Sequence, residues 1–551
     1  MHYLRWFLKA ARPYGWTVAA SILCHFALIA LTMGYVFVSK TLVDIATGHT
    51  EAAVTLGIAD MRTALLAFGA AMIGIIILRD ALGGLKTYIQ TRASVRLRND
   101  VRQNQFDSLL KLSGDVRGKF HSGDILNRIQ DDSSSVATTC CSTIPNLIGT
   151  GVQFLAAFAY LLFLESRLAW VLAIVLPAGI FGGKYIMGKM RKLTLEVKRN
   201  DSLVQSHVQE SVQHQTLIKS LEYDGESSAT LASLQDNLYR KSMKRTRFSL
   251  LSRILMSLVL GGGYALAFLW GVAGLFHGTV TYGLMTAFLQ LVGQLQRPLV
   301  QMSDQLPGIF HCTASVDRLN ELESLPKEEE GKKIFLKSPA GIRVEHLDFH
   351  YEDSDKSIFR DFSHDFTPGS RTAIIGETGA GKTTLIKLML ALENASAGSI
   401  VVYDGNSEAK VSGSTRCNLV YVPQGNTLFS GSVRENLLMG NPEASEEQLK
   451  EALCTAAADF VLEAPEGLGL QCFEAGGGLS EGQAQRIAIA RALLRPGSIL
   501  LLDEFSSALD EPTEELLLER LTESERSKTM IFITHRRKVS EYCDTILEIN
   551  Q

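Results

Sequence analysis

The sequence predicts an all-α membrane domain of six helices joined to an α/β P-loop nucleotide-binding domain. Three observations carry that prediction. Six apolar runs fall in roughly the first 300 residues, Gly376 to Thr383 read GETGAGKT between a strand-like and a helical run, and from Ile342 onward strand and helix patterns alternate.

The totals agree with two unlike parts. A chain of 551 residues is long for a single core. A net charge of −4 gives no basic excess and excludes nucleic acid as the expected partner. Hydrophobic residues make up 46%, and a mean hydropathy of +0.11 is high for a water-soluble chain of this size. The 8 cysteines are scattered without C-x-x-C spacing, which argues against a metal site or a disulfide framework. The opening MHYLRWFLKAARPYG is basic and amphipathic but lacks an apolar core and a cleavage site. It is not a signal peptide and is expected to lie as an interfacial helix.

A bilayer core takes about 20 apolar residues per helix. The runs Trp16 to Val38, Thr63 to Leu78, Ile148 to Leu164, Leu168 to Met187, Ile254 to Phe276 and Tyr282 to about Val300 are the predicted spans. The third and fourth are separated only by Glu165, Ser166 and Arg167, which forces an antiparallel hairpin. Basic residues crowd the segments after the second span (Lys86, Arg92, Arg96, Arg98, Arg102) and after the fourth (Lys189, Arg191, Lys192, Lys198, Arg199). The loop His277 to Thr281 has no Lys or Arg. The positive-inside rule therefore puts both termini and both long loops on the cytoplasmic side of a multi-pass integral membrane protein, in the inner membrane if the source is bacterial. Pro and Gly are absent from Thr87 to Leu112 and from Lys189 to Leu221, so the long loops read as helical extensions of the spans. A charged linker follows Ala314, and the expected domains are residues 1–325 and 326–551.

The P-loop needs many phosphate donors at close range. Gly376, Gly379 and Gly381 bare the backbone N–H groups, with Glu377, Thr378 and Ala380 completing the loop. Lys382 adds a point charge, the Thr383 hydroxyl suits Mg²⁺, and Thr384 opens the helix. The chain is therefore expected to bind a nucleoside triphosphate. Ile499 to Leu502 is a buried-strand pattern ending in Asp503 and Glu504, placed to hold a metal and to polarise the attacking water. Gln424 follows the strand Leu419 to Val422 and suits water or metal, or else is a loop amide. His535 follows the strand Thr529 to Ile533 and is expected at the γ-phosphate. Tyr351 offers a face for a base, a weak reading on composition alone. LSEGQ, Leu479 to Gln483, precedes a helical run from Ala484 to Leu494; by itself it is an ordinary capped helix start. Beside a complete phosphate loop, a second anion-binding helix start suggests a composite site.

At these residues the sequence resembles an ATP-binding cassette (ABC) transporter half of the exporter type, over essentially the whole chain. The resemblance assigns GETGAGKT as Walker A, ILLLDE as Walker B, LSEGQ as the signature and SSALD, ending at Asp510, as the D-loop. It makes Gln424 the Q-loop, His535 the switch and Tyr351 the A-loop. It implies ATP with Mg²⁺ held by Thr383, Gln424 and Asp503, and catalysis by Glu504, His535 and Gln424. Ser480, Gly482, Gln483 and Asp510 would meet the nucleotide of a second half transporter in a homodimer or heterodimer. Coupling helices are expected near Phe120 to Asp124 and Leu217 to Glu226, the second touching the partner's cassette. The signature departs from the family's usual LSGGQ at Glu481, where a carboxylate beside phosphate is repulsive unless it points away. The stretch FEAGGG before it is also shorter than the family's usual loop, and the resemblance directs Glu474 toward the coupling helices.

In the sixth span, Thr286, Gln290, Gln294, Arg297, Gln301 and Asp304 fall on one helical face while Leu284, Phe288, Leu291, Val292, Leu295 and Leu299 point elsewhere. A polar stripe facing lipid is costly, so it is expected to line a pathway or to bond between helices. Arg79 and Asp80 read as a mutual pair or as snorkelling at the inner boundary. The expected activity is ATP-driven export or flipping of an amphipathic lipid, peptide or drug-like molecule by alternating access. An importer of the same fold, or an ATP-gated regulator with slow hydrolysis, are the alternatives.

Overall fold

The computed structural model describes residues 6–7, 12–48, 61–113, 122–328, 331–351, 356–473 and 478–549, without the side chains of 122–124, 172–187, 256, 299, 303, 304, 306, 307 and 310. The chain divides into two units: Met1–Gln105 with Leu126–Glu321, and Phe106–Ile125 with Leu322–Gln551.

The first unit is helical. Helices α1 (Gly15–Ala46) and α2 (Met61–Leu110) run antiparallel, joined by an apolar patch of Val38, Ile45, Ala64 and Phe68. Next come α3 (Ser122–Asn127), α4 (Ser133–Thr138) and α5 (Ile144–Leu164), linked by π-helical turns at Arg128–Asp132 and Thr139–Thr143. Glu165 breaks the helix in an extended conformation and α6 (Ser166–Gln213) returns, forming the predicted hairpin. After α7 (Gln215–Ser220) come α8 (Asp224–Phe276) and α9 (Tyr282–Ser324). Helices of 50, 48, 53 and 43 residues far exceed a bilayer's thickness, so the long loops are continuations of the spans.

Four helical stretches among the described residues are long and apolar enough to cross a membrane: Arg12–Ala46, Met61–Leu110, Ile125–Leu164 and Asp224–Phe276. The expected fourth span lies in α6, where side chains 172–187 are outside the description. The sixth lies in α9, which its own glutamines and Arg297 make less apolar. Arg79 Nε stands 3.4 Å from Asp80 Oδ1, the mutual pair expected. The interfacial reading of the N-terminus does not hold for Phe7. That ring is buried with Ala93, Leu97, Val136, Cys312, Val316 and Leu319, and Trp6 Nε1 donates to Asn320 Oδ1 at 2.9 Å, because these side chains find protein partners in place of a lipid surface.

The polar stripe of α9 divides. Phe288, Leu291, Val292 and Leu295 are fully buried in the helical core, which turns the stripe to the other side. Gln290 donates to Ser39 at 2.9 Å and Gln153 donates to Gln294 at 2.6 Å, while Arg297 is exposed. The interhelical expectation is met by the glutamines, and Arg297 is exposed.

In the second unit, Leu112 bridges Lys327, and Ser113 N–H donates to Pro326 O at 3.0 Å. An antiparallel sheet has the order β2 (Ser357–Phe366), β1 (Gly341–His350), β4 (Ala397–Tyr403), β5 (Glu408–Lys410). A parallel sheet has the order β11 (Thr545–Glu548), β3 (Arg371–Ile375), β10 (Thr529–Ile533), β9 (Ile499–Asp503), β6 (Leu419–Val422), and the short β7 (Gly431–Ser432) and β8 (Gln471–Cys472) pair with each other. β9 and β10 are buried along their whole length, as near-continuous apolar runs in a sheet covered on both faces must be. Ser432, Ser445 and Ser480 each form a capping box with a Glu or Gln three residues on, the local signal that starts their helices.

Candidate nucleotide site

The site is a product of strand register. Ile533 pairs with Ile374 on one side and Asp503 on the other, and Val422 pairs with Leu502. Chain leaving β3, β9, β10 and β6 therefore emerges side by side at the carboxyl edge, where ligands of parallel sheets bind. That places the P-loop, Glu504, Thr534–His535 and Gln424 together although up to 159 residues separate them in sequence.

The loop turns back on itself through Ala380 N–H to Glu377 O at 3.2 Å, leaving Glu377, Thr378 and Gly379 exposed at its crest. Gly381 has φ +98°, and a Cβ there would stand 2.4 Å from Ile358 Cγ2, so only glycine fits. The helix α10 (Lys382–Met389) starts at once, aiming its first N–H groups into the loop. Lys382 is buried, its ammonium donating to Gly376 O at 2.8 Å and Glu377 O at 2.9 Å. Burial lowers its pKa, opposed by the charges of Glu504 and Asp503.

Asp503 is 1% exposed and takes hydrogen bonds from Thr383 Oγ1 at 3.4 Å and Tyr421 OH at 3.5 Å. Burial raises its pKa above the usual carboxylate range, with Glu504 adding to the rise. An oxygen pair of hydroxyl and carboxylate beside a phosphate loop is a donor set that suits a hard divalent cation. Glu504 sits at φ +46°, a left-handed conformation that costs a non-glycine residue energy and marks functional sites. Its Oε2 accepts from Gln424 Nε2 at 2.6 Å, its Oε1 lies 3.4 Å from His535 Nε2, and its carbonyl accepts from Gln485 Nε2 at 3.1 Å. Tyr351 OH lies 3.2 Å from Thr384 Oγ1, which ties the predicted aromatic to the same helix start.

The remaining predicted residues gather elsewhere. Ser480 and Gln483 bond each other, Gln483 N–H to Ser480 Oγ at 3.2 Å and Ser480 N–H to Gln483 Oε1 at 2.9 Å. They open α11 (Glu481–Leu493), which begins three residues earlier than the helical run in the sequence suggested. Gly482 packs under the D-loop, where a Cβ would come within 2.8 Å of Ala508 O. Asp510 holds the N-cap position of α12 (Glu511–Ser524), and the Glu481 side chain is exposed. Glu474 and Phe120 lie outside the described residues.

Sequence reasoning missed three residues. Tyr421 reaches Asp503. Arg491 holds the Gln424 loop through Thr427 O at 2.9 Å and Thr427 Oγ1 at 2.8 Å. Arg536, next to His535, pairs with buried Glu514 at 2.9 Å and donates to Ser507 O at 3.1 Å and Leu509 O at 3.0 Å. Adjacency to His535 was the one available signal for Arg536; the others depend on register.

A helical membrane unit fused to a P-loop domain with two strand-end carboxylates defines a transport ATPase. The chain belongs to the ABC transporter family: residues 17–299 match the ABC transporter transmembrane region and 359–507 the ABC transporter domain. It is 26% identical over 98% of its length to a multidrug export ATP-binding/permease protein of Staphylococcus aureus, covering 94% of that protein. It is 30% identical over 98% of its length to an ATP-dependent lipid A-core flippase of Aromatoleum aromaticum, covering 90% of it. The structure of a bacterial Atm1-family ABC exporter with ATP bound superposes with a TM-score of 0.81 at 25% identity, over 97% of this chain and 93% of the other. The protein is an exporter-type half transporter, an ATPase that drives export or flipping across a membrane.

Proposed function

We propose that the protein works as a dimer of half transporters, with the cassette of residues 326–551 on the cytoplasmic side, and moves an amphipathic substrate. The observation that carries the catalytic part is the Glu504 carboxylate held between Gln424 and His535 beside the P-loop. In this reading the P-loop amides and Lys382 bind the ATP phosphates, and Tyr351 stacks on the base. Glu504 polarises the attacking water and His535 contacts the γ-phosphate. Mg²⁺ would be held by Thr383, Asp503 and Gln424, supplying charge neutralisation on the phosphate oxygens.

Within one chain, Ser480 and Gln483 bond each other, and no hydrogen bond to the P-loop is seen for Ser480, Gly482, Gln483 or Asp510 among the described residues. That arrangement supports a composite site in which they complete the partner's nucleotide pocket. Leu217, Leu221 and Tyr223 are exposed around α7, which supports the turn at Leu217 to Glu226 as a docking element for the partner's cassette. Relatives named for multidrug export and for lipid A-core flipping, together with exposed Arg297 beside apolar walls, support an amphipathic cargo that carries negative charge. The test is ATP hydrolysis by the purified chain. Glu504→Gln should abolish turnover while ATP binding persists, and turnover that survives would overturn the assignment.

A further inference from the structure

α1, α2 and α5 share a polar layer within the helical unit. Gln90, buried on α2, donates to Ser21 Oγ of α1 at 2.9 Å and to Asn146 Oδ1 of α5 at 3.1 Å. One turn further along, Lys86 Nζ of α2 lies 3.1 Å from His25 Nδ1 of α1. Gly149 of α5 makes room for that imidazole, because a Cβ there would stand 2.1 Å from His25 Nδ1. The layer is therefore assembled by three helices and fitted around the ring.

His25 lies nine residues beyond Trp16, about 14 Å along the helix axis. Trp16 is 91% exposed, as suits an aromatic anchor at the inner interface, and His25 falls in the inner half of the expected span Trp16 to Val38. Its contact draws Lys86 level with that span, and not beyond the membrane where the basic segment after the second span had placed it. An ammonium there is costly and normally finds a carboxylate. Among the described residues no carboxylate lies within ion-pair distance of Lys86; its partner is the His25 imidazole. Of its three N–H donors one is used by His25, and the side chain is only half-buried.

We propose that Lys86, steered by His25, is a binding subsite for the phosphate or carboxylate headgroup of an amphiphile reaching in from the inner leaflet. The uncompensated charge supplies attraction, the remaining N–H groups supply charge-assisted hydrogen bonds, and the apolar faces of α1 and α2 accept the tail. This deepens the amphipathic-substrate reading and rests on it. It is separate from Arg297, which lies on α9.

The test is equilibrium binding to the purified full chain in phosphatidylcholine nanodiscs without nucleotide. The probes are dodecyl phosphate and the same tail carrying a neutral sugar. Wild type should bind the phosphate probe about tenfold or more tighter than the neutral one, the range expected of a charge-assisted contact. Lys86→Gln should erase that preference, Lys86→Arg should keep most of it, and His25→Gln should reduce it several-fold. An excess of inorganic phosphate should fail to displace the probe. A wild-type chain without preference would overturn the proposal even if the variants do not fold. A preference that survives Lys86→Gln, or displacement by inorganic phosphate, would overturn it as well. ATP-driven transport of a neutral dye by wild type, measured in the same lipid, tests the transport reading independently.

Discussion

The two units use apolar residues in opposite ways. In the cassette, β9 and β10 are wholly buried and large exposed apolar side chains are few. In the helical unit, Trp16, Leu66, Phe163, Leu258 and Phe276 are each more than 65% exposed, and they point away from their own chain. Such a surface is stable only in lipid or against another chain. The cassette's catalytic edge is complete as far as one chain can make it, held by register and short hydrogen bonds. The membrane unit is open: its glutamines pair between helices, but Arg297 is exposed and, among the described residues, no carboxylate lies within ion-pair distance of Lys86. In the proposed reading, chemistry belongs to the cassette and selectivity to the helical unit.

The sharpest test of that contrast is Glu504→Gln. It should cut ATP turnover by about 10²- to 10⁴-fold, the range for losing a positioned acid–base group, with nucleotide affinity retained. Next is Arg536→Ala, which leaves Glu514 buried without its cation and frees the carbonyls of Ser507 and Leu509. Turnover should fall about tenfold, with little change in ATP affinity for the isolated P-loop contacts; an unchanged rate would break the idea that the D-loop is positioned from the switch. Arg297→Ala with Gln294→Ala should alter substrate-stimulated ATPase and transport while basal hydrolysis, which belongs to the other unit, stays measurable. Equal stimulation in the double variant would remove Arg297 from the pathway.

The smallest effect concerns stability. Burial raises the Asp503 pKa, so the folded state holds its proton more tightly than the unfolded chain. Stability should then fall as pH rises from the ordinary carboxylate range through that raised value, and stay lower above it. Asp503→Asn should flatten this slope and raise the nucleotide-free thermal midpoint at neutral pH by about 2 °C, while weakening Mg-ATP binding. A lower midpoint would mean that its bonds from Thr383 and Tyr421 outweigh desolvation.

Legibility in the sequence followed the same division. The P-loop, Asp503–Glu504 and His535 were readable because strand, turn and helix signals flank each of them locally. Their meeting was readable only as an expectation, since it depends on Ile533 pairing with both Ile374 and Asp503. Tyr421, Arg491 and Arg536 escaped because nothing local distinguishes a bracing side chain from a solvated one. The spans were readable from apolar length, though the start of α11 was placed late because Ser480 already caps it. The Lys86–His25 pair joins residues 61 apart on two helices, and Phe7 found a protein core that its amphipathic surroundings did not announce.

The central claim, that ATP turnover at the sheet edge drives an amphiphile across the membrane, is tested most directly in inside-out vesicles carrying the purified chain. ATP should drive accumulation of a fluorescent amphipathic cargo inside wild-type vesicles, and Glu504→Gln vesicles should show none. Accumulation that is equal with and without ATP, or undiminished in Glu504→Gln, would contradict it.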